Sequence, residues 1–398
     1  MAGSIERRGE NSWRLIVSCG INSEGKQIKK TKAIKTTAKT EKAAWKEAEV
    51  ELAKFVAEIE AGQYIGTKKL TFTQFVDRWL RDYAEKNLAP KTVFRYKQLL
   101  DSRILPAMGH LKIEQIRPVH LMEFYNNLQD EGIRLDGRDG CLSEKTILQH
   151  HRVLSSIFND AVQWQVITSN PAGRVKPPKV KKKQAAWYDE EQTLALLYSL
   201  AEEPLKYRTL ITLALASGLR RGELMGLEWQ DIDFSQNTLV VRQASQYLPR
   251  MGNFTKEPKN ETSKRLVTLP ESVTALLRQY KAHQAEERLK VGDLWQGSDR
   301  LFTTWDGQPM HVDTITKWFP KFLKRHDLPP LPFHGLRHTA ATLLIGQGLH
   351  AKTISSRLGH ANISTTMDIY GHALKRADQE AADRLDELFT GTKKGQGK

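Results

Sequence analysis

Between Arg174 and Lys183 the chain carries six positive charges and no acid, with Pro177 and Pro178 near its centre. So polar a run stays out of a core, and the paired prolines keep it extended, which makes it a linker. The 398 residues must then fold as separate blocks on either side, and a hydrophobic content of 39% suffices for a core in each.

Residues 1–40 alternate apolar and polar side chains in the runs Trp13 to Ser18 and Gln27 to Ile34, separated by the turn-forming Asn22-Ser23-Glu24-Gly25. This predicts a small antiparallel sheet. Ala44, Trp45, Ala48, Leu52, Phe55 and Ile59 then recur at helical spacing up to Gly62. Nine Lys or Arg against three acids give residues 1–40 a net charge of +6, so this sheet can face phosphates.

The next block, about residues 69 to 173, reads as four helices: Phe72 to Leu88, Lys91 to Leu105, Arg117 to Glu131 and Ser143 to Val166. Thr71 opens the first, Pro90 starts the second and Ser143 caps the last, so a four-helix bundle is expected. After the linker, Asp189 and Gln192 are spaced as a capping box, and helices predominate from there. The exception is a polar stretch flanked by Thr238 to Arg242 and Arg265 to Leu269, which predicts a β-hairpin. The Gly- and Lys-rich segment 391–398 is expected to be disordered. The expected fold is multidomain and mainly α with small β elements, an α+β chain.

Sixty-one Lys and Arg against 46 Asp and Glu leave a formal charge of +15, which favours a polyanion such as nucleic acid as partner. Cys19 and Cys141 are too few for a disulfide framework or a four-thiolate zinc site and suit a reducing cytoplasm. There is no run of 18 or more apolar residues, and Met1 to Arg7 lacks the apolar stretch of a signal peptide. A cytoplasmic protein without membrane association is expected.

Three runs carry candidate chemistry. Ala216-Ser217-Gly218-Leu219-Arg220 places Arg220 just past a Gly-terminated helix, with Glu223 three residues on, within reach of it. Phe333-His334-Gly335-Leu336-Arg337-His338 sets His334 and Arg337 on one helix face. Leu358-Gly359-His360 is followed ten residues later by Tyr370. Two guanidiniums, imidazoles and a tyrosine suit attack on a phosphodiester, because Arg forks match non-bridging oxygens and nearby cations ease formation of a phenolate. His334 and His338 are also spaced like a metal-binding pair, but position 335 is Gly where a metalloprotease helix carries Glu. Tyr207, Trp229 and Tyr247 are read as packing residues.

These runs, in this order and spacing, resemble the signature boxes of the tyrosine recombinase and phage integrase family, with the nearest likeness to integrases of Gram-positive phages and conjugative transposons. The resemblance implies an arm-type DNA-binding domain at 1–66, a helical core-binding domain at 67–173, a basic linker at 174–186 and a catalytic domain at 187–398. It implies that Tyr370 is the nucleophile forming a 3′-phosphotyrosine, that Arg220 and Arg337 stabilise the phosphorane, and that His334 is an acid/base partner. His360 would donate to the phosphate and Glu223 would orient its neighbours. Lys259 resembles the hairpin lysine that protonates the leaving 5′-oxygen; since Asn260 stands where many relatives have Thr, Lys256 and Lys264 are alternatives. Neither cofactor nor metal is implied.

The implied partners are double-stranded DNA attachment sites, a homotetramer on DNA, an excisionase and a host DNA-bending protein. The apolar stripe Leu374, Ala377, Ala381, Leu385, Leu388 either packs within its own chain or docks on a neighbouring subunit, which the resemblance favours. Rival readings are a dimer-resolving recombinase of the same chemistry and a catalytically silent DNA-binding regulator.

Overall fold

The computed structural model describes residues 3–21, 27–38, 40–60, 70–181, 185–249, 251–256 and 264–359, with isolated positions from 362 onward. The chain parts into two compact units, Met1–Lys182 and Lys183–Lys398, divided within the basic run.

In the first unit β1 (Gly3–Gly9), β2 (Ser12–Ile21) and β3 (Gln27–Lys35) form an antiparallel sheet in that order. The period-two side chains Trp13, Leu15 and Val17 of β2 are buried, as are Ala44, Ala48, Phe55 and Ile59 of α1 (Glu41–Glu60), in the cores they share. The buried Trp13 indole donates to the Thr36 hydroxyl at 3.1 Å, so no donor is left dry. The expected turn at Asn22 to Gly25 and the helix end at Gly62 lie outside the described residues.

The same unit holds a helical core. α2 (Phe72–Trp79) passes through a π turn at Leu80–Ala84 into α3 (Glu85–Asn87), and α4 (Pro90–Leu99) passes through another at Leu100–Ile104 into α5 (Leu105–Met108). α6 (Pro118–Asn127) and α7 (Glu144–Gln163) complete it. All four expected helices are present; the second runs on to Met108 and the third stops at Asn127. Thr71 and Gln74 form a reciprocal capping box on α2, and the Ser143 hydroxyl accepts from the Thr146 N–H at 3.3 Å on α7.

The second unit begins with α8 (Glu190–Ser199), opened by the expected Asp189 and Gln192 capping box, then α9 (Leu205–Ser217) and α10 (Arg221–Met225). Strands β4 (Ile232–Asp233), β5 (Thr238–Val241), β6 (Ala244–Leu248), β7 (Gly252–Lys256) and β8 (Arg265–Thr268) follow. α11 (Glu271–Val291), α12 (Thr314–Arg325), α13 (Gly335–Gly346) and α14 (Ala351–Leu358) close it. The expected hairpin needs correction. β5 and β8 do pair antiparallel, but β4 makes their sheet three-stranded, and the polar stretch between them holds a hairpin of its own, β6 with β7. Tyr207, Trp229 and Tyr247 pack against the main core. Among the described residues no helix is long and apolar enough to cross a membrane. The segment 391–398 and, apart from isolated positions, the stripe from Leu374 to Leu388 lie outside the described residues.

Candidate active site

The site starts from a helix end that only glycine can make. α9 stops at Gly218, which adopts the left-handed conformation at φ 63° and whose N–H still reaches the Ala214 carbonyl at 2.9 Å. A Cβ there would also come within 2.4 Å of Leu358, so the position has neither the dihedral nor the room for a side chain. The turn sends the chain into extended backbone at Arg220, the N-cap of α10.

Glu223, three residues on, returns to that cap. One of its carboxylate oxygens accepts the Arg220 backbone N–H at 3.0 Å, and the other accepts Arg220 Nη1 at 2.7 Å. The first oxygen also accepts Nη2 of Arg265, the opening residue of β8, at 2.8 Å. Burial alone would raise the Glu223 pKa, but the hydrogen bond and charge of Arg265, then the contacts of Arg220, outweigh it and hold the carboxyl below its usual range.

Arg337, the third residue of α13, is only 4% exposed. Its Nη1 donates to the Gly218 carbonyl at 2.8 Å, while its buried Nη2 has no partner among the described residues. Burial first, then the charges of Arg220 and Arg265 against the opposing help of Glu223, push its pKa down to about 9. An arginine keeps its proton inside proteins, so such a drop marks a cation short of counter-charge. Arg220 and Arg265 pair with Glu223, whose charge also reaches Arg337.

His334 stands at the N-cap of α13 with right-handed helical dihedrals and is exposed. Desolvation first, then the charges of His338, Arg337 and Arg220, hold the imidazole below its ordinary range, leaving it neutral at pH 7. The rings of His334 and His338 meet edge to face with centroids 5.1 Å apart.

The far wall is the C-terminal turn of α14, which ends at Gly359 in the left-handed conformation, φ 67°. Arg220 Nη2 donates to the Gly359 carbonyl and Arg265 Nε to the Arg357 carbonyl, each at 2.7 Å. β6 lies against α10, since Cβ atoms at Gly222 and Gly226 would each approach the Ser245 backbone to 3.0 Å. The hairpin bearing Lys256 at the end of β7 thus rides on the helix that Arg220 begins.

Of the residues singled out in the sequence, Arg220, Glu223 and Arg337 come together, with His334 beside them. Lys259, His360 and Tyr370 lie outside the described residues. Arg265 was missed. Its signal is the strand pattern: Arg265 and Val267 are buried where Leu266 and Thr268 face out, and a charged side chain on the core face of a strand demands a buried partner.

Comparison with known proteins agrees with this geometry. Residues 186–376 match the family model described as phage integrase family, and residues 71–129 match the phage integrase N-terminal SAM-like domain. The chain is 32% identical over 251 residues to a tyrosine recombinase of Thermosipho africanus, covering 62% of this chain and 76% of that protein. It is 26% identical over 387 residues to the ICEBs1 integrase of Bacillus subtilis, covering 97% of this chain and all of that protein, 100%. The Tn1549 transposon integrase, solved in complex with transposon right end DNA, shares the fold at a TM-score of 0.65 and 21% identity, over 80% of this chain and 100% of that one. On the family match and the Thermosipho likeness together, this chain belongs to the phage integrase family, the tyrosine-type site-specific recombinases.

Proposed function

We propose that the chain integrates and excises a mobile element by cutting and rejoining double-stranded DNA at attachment sites, with Tyr370 as nucleophile. The observation that carries this reading is the buried Nη2 of Arg337, without a partner among the described residues, next to the Arg220 and Arg265 pair on Glu223. A phosphodiester supplies the missing anion, and the charge that builds on its equatorial oxygens in a pentacoordinate transition state would bind more tightly still.

In this reading the Tyr370 oxygen forms a bond to phosphorus as the bond to the 5′-oxygen breaks. The phenol proton passes to His334, which is neutral at pH 7, and Lys259 protonates the departing 5′-oxygen, while His360 donates to a phosphate oxygen and Glu223 orients Arg220. The 3′-phosphotyrosine retains the energy of the broken bond, so a 5′-hydroxyl from a second strand reverses the step with neither ATP nor metal. The +6 block of residues 1–40 would contact arm-type sites and the helices of residues 67–173 the core sites, with catalysis in 187–398. Assembly as a tetramer on DNA, and the excisionase and DNA-bending partners, belong to the same reading. The full-length likeness to an integrase of Bacillus subtilis supports mobile-element integration over dimer resolution.

The test is incubation with nicked attachment-site DNA from the ends of the element, in EDTA. The wild type should accumulate a covalent protein–DNA adduct, and Tyr370→Phe should bind the same DNA without forming one. Binding without any wild-type adduct would instead identify a silent regulator.

A further inference from the structure

We infer that Arg265 is a positioning residue for strand cleavage: through Glu223 and the last carbonyls of α14 it holds that helix end, one residue before His360 in the sequence, against Arg220. This rests on the proposed catalytic reading and adds a residue to it.

The argument is the closure of a ring. Glu223 presents one oxygen to Arg220 and the other to Arg265, at 2.7 and 2.8 Å. Each guanidinium then reaches a different carbonyl of the same helix terminus, Arg220 that of Gly359 and Arg265 that of Arg357. The last carbonyls of a helix have no intrahelical donor, and cations there also complement the helix dipole. A single carboxylate therefore fixes two forks, and the two forks hold the last turn of α14.

Three further features tie Arg265 to this task. Arg265 is 9% exposed, so its side chain spends the cost of burial on these contacts and not on solvent. Gly359 leaves it the space: a Cβ there would stand 2.7 Å from Arg265 Nη1, so this glycine meets the left-handed turn and the guanidinium at once. Arg357, whose carbonyl Arg265 holds, donates its own Nη2 to the carbonyls of Ala216 and Thr268 at 2.9 Å, anchoring α14 to the end of α9 and to β8. Arg220 can still turn to a phosphate, because its side chain is 40% exposed. Arg265 is too enclosed for that and acts through its neighbours.

A lysine could keep the ion pair with Glu223, but a compact ammonium lacks the fork that spans carboxylate and carbonyl together. The rate of adduct formation on nicked attachment-site DNA, at saturating protein and in a single turnover, should fall in the order wild type, Arg265→Lys, Arg265→Gln. The Gln variant should lose roughly 10²-fold, the scale of a misplacement of about 1 Å. DNA affinity should stay within about threefold, because no phosphate contact is removed. Arg265→Lys, which keeps a positive charge against Glu223, is the variant that separates loss of the fork from loss of the fold.

If Arg265 served stability alone, the variants bound to DNA below their melting temperature would cleave at the wild-type rate, which overturns the inference while leaving the catalytic reading intact. A wild type that forms no adduct overturns both.

Discussion

The helical core of the first unit and the core of the second are both built from amphipathic helices around Leu, Ile and Phe, yet they treat charge in opposite ways. The first buries Phe72, Trp79, Leu154 and Phe158, and among its described residues the buried polar side chain is His150. The second buries Glu223, Asp231, Arg265, Arg300 and Arg337. Taking one ion out of water costs several kcal/mol, so a fold retains buried charge only where it is compensated or used. Both cases occur here. Asp231 and Glu228 face Arg242 and Arg300 as a balanced set, and Arg300 ties the Gly226 carbonyl to Thr255 of β7, which fastens the hairpin. Glu223 instead pairs with two guanidiniums, and Nη2 of Arg337 near them has no partner among the described residues. In the proposed function the first cluster is scaffold and the second is the seat of a phosphate.

That contrast can be broken by experiment. The largest effect is expected at Arg337: Arg337→Ala should slow cleavage of nicked DNA by roughly 10³-fold, as for loss of one charge-stabilising donor. The melting temperature should hold or rise, since an under-compensated cation is removed. A melting temperature that drops with the activity would place Arg337 among the scaffold charges. Next comes the balanced cluster. Asp231→Ala leaves Arg242 and Arg300 with Glu228 alone between them and should cost about 3 kcal/mol in denaturant unfolding. A loss below about 1 kcal/mol would mean that the pair of Asp231 with Arg242 counts for no more than a surface ion pair.

His334 gives a smaller, pH-dependent effect. Its folded pKa is lowered to about 4 from an ordinary 6.5, so its contribution to stability is whole above pH 6.5 and is lost as pH falls towards 4. Across that window the unfolded chain takes up a proton that the folded one refuses. His334→Gln should flatten the fall of melting temperature between pH 6.5 and 4.5, whereas parallel curves would mean an ordinary, solvated imidazole. The smallest effect is expected in the first unit. His150 keeps one ring nitrogen on the Thr146 carbonyl at 2.9 Å while Nε2 has no partner among the described residues, so His150→Leu should change stability by less than about 1 kcal/mol. A larger loss would give this core a polar dependence like that of the second unit.

The helices were legible because their signals are local. Thr71, Ser143 and Asp189 cap where their hydroxyl or carboxylate stands before an apolar repeat, and Gly218 ends α9 because the chain needs φ above zero there. The pairing of Arg220 with Glu223 was equally local, one turn of helix. The β6 and β7 hairpin was not legible, since its strands are polar and gain their place from Gly222 in α10 and Gly226 at its end, distant in sequence. Arg265 escaped for the same reason: its partners Glu223 and Arg357 are 42 and 92 residues away, and only the fold brings them together.

The most direct test of a phosphate held among these arginines for attack by Tyr370 is to identify the amino acid that becomes joined to DNA. Wild-type adduct on nicked attachment-site DNA would be digested with trypsin and nuclease and sequenced by mass spectrometry. The nucleotide should lie on the peptide that follows Arg357, attached at Tyr370. Attachment to any other residue, or a stable complex in which no peptide carries a nucleotide, would contradict it.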